Sequence, residues 1–268
     1  METRALITRG PFIFGEGDES PPDAKTWVFI ASRSRTGSNC LARILSLHPD
    51  CKVGQEDGGP FALMTIFTSH HYFVEGRDGF CISGVKVFSP SEVRQMCETW
   101  RSIWAPSKLI VGDKQRQLWF NREAVKQVFP NCHIVTTIRH PLDHLASACA
   151  FNPIIAGWSL EQKSSYFREH CKDFAAALVE SSTDLRHQVI RFEDLGQVKS
   201  RVTVVEKLWS VLELRSNLTA SRSLCEPTYD APSDTIGRWR TDVHVADLLG
   251  STDSSELQTL LAACGYSL

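Results

Sequence analysis

Several signatures that would place a chain in a large class are missing here. Nothing in the 268 residues approaches the run of about 18 apolar positions that a membrane-spanning helix needs. No cluster of Lys or Arg marks a nucleic-acid or lipid surface, and the formal net charge is −2, so any anion site has to be assembled locally. Residues 1–17 show no basic-then-apolar pattern long enough for a signal peptide. The nine cysteines form no C-x-x-C pair, and Cys132, Cys149 and Cys264 sit in apolar runs, where a thiol packs as a small hydrophobe. Free thiols in a reducing, cytoplasmic compartment are therefore expected rather than a disulfide framework. Outside a secretory route, the sequon Asn217-Leu218-Thr219 carries no glycan. Two phosphate-binding signatures are absent as well, G-x-x-x-x-G-K-[ST] and G-x-G-x-x-G, which removes the main support for a kinase, an ATPase or a dinucleotide enzyme.

What remains is an ordinary globular composition, 42% apolar and 22% charged, long enough for one large domain. Residues 1–25, rich in Gly, Pro, Asp and Glu, read as a loosely held arm, and residues 26–268 as a single domain. Short apolar runs at residues 27–31, 84–88, 108–111, 132–138 and 187–192 predict strands, the run at 132–138 most strongly because it is β-branched and continuous. Helical spacing predicts helices from residue 40 to the stop at His48-Pro49, over 121–129, within 139–152, and over 159–182, 198–212 and 256–264. Residues 221–241 read as loop. Strands that alternate with helices and are apolar throughout predict an α/β fold. It is a three-layer sandwich with a central, mainly parallel sheet and helices on both faces. In such sheets ligands bind at the carboxyl ends of the strands.

The loop after the first strand, Ser32-Arg33-Ser34-Arg35-Thr36-Gly37-Ser38-Asn39, leads straight into a helix. Unpaired N–H groups at a helix start carry a partial positive charge and suit an anion. Gly37 lets the backbone approach closely, Thr36, Ser38 and Asn39 offer donors, and Arg33 and Arg35 offer forked charge. The strongest strand ends at Arg139-His140-Pro141-Leu142-Asp143, with Ser147 eight residues after the arginine, so that Arg139 and Ser147 face one spot. His140 and His144 have the i, i+4 spacing of a zinc pair, but Pro141 stands where the glutamate of that motif would be and no third ligand is evident. No metal site is expected.

These segments resemble the sulfotransferases that use 3′-phosphoadenosine 5′-phosphosulfate (PAPS). Ser34-Arg35-Thr36-Gly37-Ser38-Asn39 is similar to their P-R-[ST]-G-[ST]-[TN] loop, with serine for proline. Arg139 to Ser147 is similar to their R-x-P-x-D motif with its following serine. Leu45-Ser46-Leu47-His48-Pro49, Gly112-Asp113-Lys114, Arg191-Phe192-Glu193-Asp194-Leu195 and Gly237-Arg238-Trp239 match weaker family segments, although Gln115-Arg116 replaces the usual Thr-Pro. The resemblance implies transfer of a sulfuryl group from PAPS to a hydroxyl or amine of a small acceptor, with 3′-phosphoadenosine 5′-phosphate (PAP) as product. It implies PAPS contacts from Arg33, Arg35, Thr36, Gly37, Ser38, Asn39, Arg139, Ser147 and Arg238, with Lys114 as a second cation at the sulfuryl group and Glu56 as the base. Asp57 and the histidines His70, His71 and His140 are alternatives for the base. Lys86 is a further cleft candidate, and aromatics between residues 56 and 84, together with Phe151, Trp158, Tyr166 and Phe167, are candidates for an acceptor pocket. Two other readings stay open, a kinase-like phosphotransferase and a homologue that binds PAPS or PAP without turnover.

Overall fold

The computed structural model describes residues 26–55, 90–114, 116–119, 122, 125–126, 129–226 and 235–268. Glu56, Asp57, His70, His71, Lys86, the expected strand at 84–88, the aromatics between 56 and 84 and the arm at 1–25 lie outside the described residues. In chain order the elements are β1 Thr26–Ile30, α1 Ser38–Leu45, β2 Cys51–Gln55, α2 Pro90–Trp104, β3 Ile110–Lys114, β4 His133–Ile138, α3 Pro141–Phe151, α4 Pro153–Ala156, α5 Leu160–Thr183, β5 His187–Arg191, α6 Phe192–Gly196, α7 Val198–Val211, α8 Leu218–Ser223, α9 Val243–Ser251 and α10 Ser254–Ala263. Two 3₁₀ turns, Arg116–Trp119 and Arg238–Thr241, complete the set among the described residues.

Five parallel strands form one sheet in the order β2-β3-β1-β4-β5. The fold is α/β with helices on both faces, as the alternation of strands and helices predicts. Side chains of successive strand residues point to opposite faces, so each strand feeds two cores. Val28, Ile30, Val135 and Ile190 pack with Leu41, Ile44 and Leu45 of α1 and with Val205, Leu208 and Trp209 of α7. On the other face Trp27, Phe29, Val111 and Ile134 meet Cys97 and Trp100 of α2. Toward β5 on that same face, Ile138 joins Leu142 and Leu145 of α3, Phe167 and Phe174 of α5, and Leu257 and Leu261 of α10.

Three local expectations change. The strand expected at 108–111 runs Ile110–Lys114, so Gly112-Asp113-Lys114 belongs to the strand and Lys114 is its last residue. A short edge strand, β2, continues Cys51–Gln55 where polar lysine and glutamine weaken the apolar signal. The stretch from 221 onward is not all loop: α8 is capped by Asn217, whose Oδ1 accepts the Ala220 N–H at 2.9 Å, so the sequon asparagine serves as a helix cap. The residues before 256 hold α9 and the first turn of α10, each capped by an aspartate, Asp242 and Asp253. All the cysteines among the described residues are free thiols. Among the described residues no helix is long and apolar enough to cross a membrane.

α1 is the element that carries the first loop, and it is held by Leu41, which is fully buried between the sheet and α7. A Leu41→Ala substitution is expected to cost about 2–5 kcal/mol, read as a lowered midpoint of urea unfolding with unchanged slope.

Candidate active site

The first loop is fastened before it offers anything to a ligand. The Ser32 hydroxyl accepts the Thr137 N–H at 2.7 Å. The single proton of the Thr36 hydroxyl goes to the Arg33 carbonyl at 2.7 Å, so Thr137 is the donor in its 2.8 Å bond to Thr36. His144, fully buried on α3, donates Nε2–H to the Ser34 carbonyl at 2.7 Å and packs against the ring of His170 at 4.0 Å. Burial drives the His144 pKa down to about 3, so the ring is neutral and its proton is committed to the loop.

Arg33 and Thr36 were expected on the ligand side; the structure turns both side chains to partners within the fold. The Arg33 side chain is buried and ion-pairs with Asp173 of α5 at 2.7 Å. Thr36 is fully buried, its hydroxyl spent on the two bonds just described. Both therefore shape the loop and do not line the cleft beside it.

That cleft, about 660 Å³ in volume, lies over the carboxyl ends of β1, β3 and β4, a size suited to a nucleotide-sized ligand. It brings together Arg35, Gly37, Ser38, Asn39, Lys114, Arg139, Ser147 and Arg238. Arg43 joins them; it lies four residues after Asn39 on the same face of α1, a spacing that makes it readable from the sequence once Asn39 is placed. Five cations thus line the cleft, and no carboxylate among the described residues does.

Gly37 caps α1 in the left-handed conformation, φ 87°, and no side chain among the described residues caps this helix, which suits its first N–H groups to a ligand. A Cβ at Gly37 would clash with the Phe192 ring. Arg35 also has a left-handed φ of 67°, a strained state for arginine. Its Nε donates to the Ser147 hydroxyl at 3.3 Å and its guanidinium lies 4.2 Å from the centre of the Phe151 ring.

Arg139 is 4% exposed and lies over the Phe192 ring at 4.5 Å. It donates to the Thr235 carbonyl at 2.6 Å and the Arg35 carbonyl at 3.4 Å, while its Nε has no hydrogen-bond partner among the described residues. Burial is the main force lowering the pKa of Arg139, with Arg35 and Arg238 pushing the same way and Asp143 and Glu193 opposing. The group stays charged regardless. An anion in the cleft would relieve this repulsion.

Asp143 had no assigned task in the sequence. Its buried carboxylate accepts the N–H groups of Gly237 at 2.7 Å and Trp239 at 3.0 Å, so it holds the turn that presents Arg238. Among the aromatic candidates, Phe151 lines the cleft, whereas Tyr166 and Phe167 belong to the core and Trp158 packs against it. His140 and His144 donate to different carbonyls, those of Ser267 and Ser34. Among the described residues no three His, Cys, Asp or Glu side chains are grouped to hold a metal ion. His48, the other motif histidine, bonds the Arg215 carbonyl at 2.8 Å and accepts the Asp50 N–H, so it turns the chain into β2.

Residues 28–216 match the sequence model of the Sulfotransferase family. The chain belongs to this family. Solved sulfotransferases have the same fold at low identity. The sulfotransferase domain of the curacin biosynthetic pathway is 16% identical, with a TM-score of 0.59 over 91% of this chain and 99% of that one. The sulfotransferase domain of the Synechococcus PCC 7002 olefin synthase is 14% identical, with a TM-score of 0.53 over 96% and 100%. A sulfotransferase from Alicyclobacillus acidocaldarius is 18% identical, with a TM-score of 0.50 over 87% and 99%. No curated protein matches this chain by sequence.

Two outcomes follow from the site's construction. In Gly37→Ala the new methyl meets Phe192 in a backbone state that suits only glycine, so stability is expected to fall by about 1–3 kcal/mol by urea unfolding. The unfolded chain protonates His144 below about pH 6.5 and the folded chain only near 3, so the folded state binds fewer protons between these values and stability falls as pH drops through them. His144→Gln, which keeps a donor for Ser34, is expected to flatten that fall when Tm is followed from about pH 7 to about pH 4.5.

Proposed function

We propose that this sulfotransferase uses PAPS and transfers its sulfuryl group to a hydroxyl or amine of a small-molecule acceptor. The observation that carries the reading is the cleft itself, with cations supplied by the loops after β1 and β4, by Lys114 and by the Arg238 turn, and without a carboxylate among the described lining residues. A nucleotide with phosphate groups at both its 5′ and 3′ ends matches such a distribution of charge better than a singly charged ligand does.

In this reading the uncapped start of α1 and Arg35 receive the 5′-phosphosulfate, and Arg139, Ser147 and Arg238 receive the 3′-phosphate. The acceptor oxygen or nitrogen forms a bond to sulfur as the bond from sulfur to the 5′-phosphate oxygen breaks. Negative charge grows on that oxygen, and Arg35, the α1 amides and Lys114 offset it. The acceptor proton passes to Glu56, a role that rests on the family resemblance of the stretch after α1. Phe151 offers an apolar wall beside the reacting end.

Calorimetric titration with PAP, beside ATP–Mg²⁺, tests the donor. Wild type is expected to bind PAP at micromolar or tighter concentration and ATP weakly, and Arg139→Ala to lose about 10–100-fold for PAP, the effect of removing a buried charged donor. A preference for ATP would replace this reading with a phosphotransferase. PAP binding with no sulfated product from any acceptor in a broad screen would indicate a non-catalytic binder. With an acceptor in hand, Lys114→Ala is expected to lower kcat by about 10²–10³-fold while the Kd for PAP changes little.

A further inference from the structure

We infer that Tyr266, in the segment that follows α10, is a positioning residue for the nucleotide site, acting through Glu193 and His140 on the turn that carries Arg238. This inference rests on the cleft being the nucleotide site proposed above.

The sequence Ala263-Cys264-Gly265-Tyr266 ends α10 in a way that sends the tyrosine back into the fold. Gly265 takes a left-handed φ of 71°. Its N–H bonds the Ala262 carbonyl at 2.8 Å, and the Tyr266 N–H bonds the Leu261 carbonyl at 2.9 Å. This is the paired bonding of a glycine-terminated helix, which reverses the chain direction. Arg191, at the end of β5, secures the reversal: it donates to the Gly265 carbonyl at 2.9 Å and lies over the Tyr266 ring at 4.5 Å.

From there two contacts reach the cleft. The Tyr266 hydroxyl donates to Glu193 Oε2 at 3.0 Å, and Glu193 Oε1 accepts the backbone N–H of His140 at 2.8 Å. His140 directly follows Arg139 and caps α3. One carboxylate therefore ties the strand end that bears Arg139 to the tyrosine. Without the phenol, one Glu193 oxygen would lose its partner beside a guanidinium that already feels its charge, and the carboxylate would be able to turn toward Arg139 and compete with an anionic ligand. The second contact is through rings. The His140 imidazole meets the edge of Tyr266 at 5.1 Å, donates to the Ser267 carbonyl at 3.0 Å, and stacks on Trp239 at 5.5 Å with the planes 8° apart. Trp239 is the residue after Arg238, and its N–H is one of the two held by Asp143. Tyr266 and Ser267 thus set the orientation of the ring against which the Arg238 turn rests.

Hydrogen exchange and PAP titration of Tyr266→Ala and Tyr266→Phe test the inference on the full chain. In Tyr266→Ala the Gly237 and Trp239 amides are expected to exchange at least about tenfold faster while the β4 amides keep wild-type protection. Kd for PAP is expected to rise about tenfold in Tyr266→Ala, and by a smaller factor in Tyr266→Phe, which keeps the ring and loses the Glu193 bond. Unchanged exchange at Gly237 and Trp239 would overturn the inference, whatever ligand the cleft takes. So would accelerated exchange in variants that bind PAP as tightly as wild type. If wild type itself binds no PAP, the PAPS reading fails, and the exchange arm still decides whether Tyr266 holds the turn.

Discussion

Five like charges gathered over the carboxyl end of one sheet are the constraint on which the rest of this structure depends. They repel one another, and the fold has to hold them together. Two of them, Arg35 and Arg139, are held by groups that carry no full negative charge. Arg139 rests on two backbone carbonyls and an aromatic face, and Arg35 on a serine hydroxyl and a phenylalanine ring. Such partners orient a guanidinium and leave its charge available to a ligand.

Carboxylates are present nearby, yet they are spent on backbone amides. Asp143 takes the N–H groups of Gly237 and Trp239, and Glu193 takes that of His140. Each sits just outside the cleft and converts its charge into the rigidity of a loop that carries an arginine. The neutral imidazole of His144 does the same for the first loop. The site is therefore preorganised by the second layer of residues, and the cost of like-charge proximity is met before any ligand arrives.

The β1–β4 pair at the centre of the sheet explains why two loops distant in sequence act as one. Its parallel register brings Ile30 beside Val135, and the bonds from Thr137 to Ser32 and Thr36 close the corner just above. α3 then leaves β4 at Pro141 and carries Asp143, His144 and Ser147 within little more than one turn, each toward a different partner.

The fold class and most of the cleft were readable from residue patterns. Apolar strand runs, the glycine before α1, and the Arg139 to Ser147 spacing are local properties, set by backbone sterics and by the periods of strand and helix. What the sequence could not decide was direction. Arg33 and Arg35 are two residues apart in one loop and read alike, but Asp173, 140 positions later, takes the first inward and leaves the second to the cleft. Thr36 and Ser38 differ in the same way, because Thr137 lies beneath only one of them. The tasks of Asp143, Glu193 and Tyr266 arise from contacts between residues at least about 50 positions apart. Local pattern determines which elements form and which side chains are on offer. Long-range packing decides which of those side chains are consumed by the fold and which are left to meet a ligand, because each has only one set of donors and the nearest unsatisfied partner takes it.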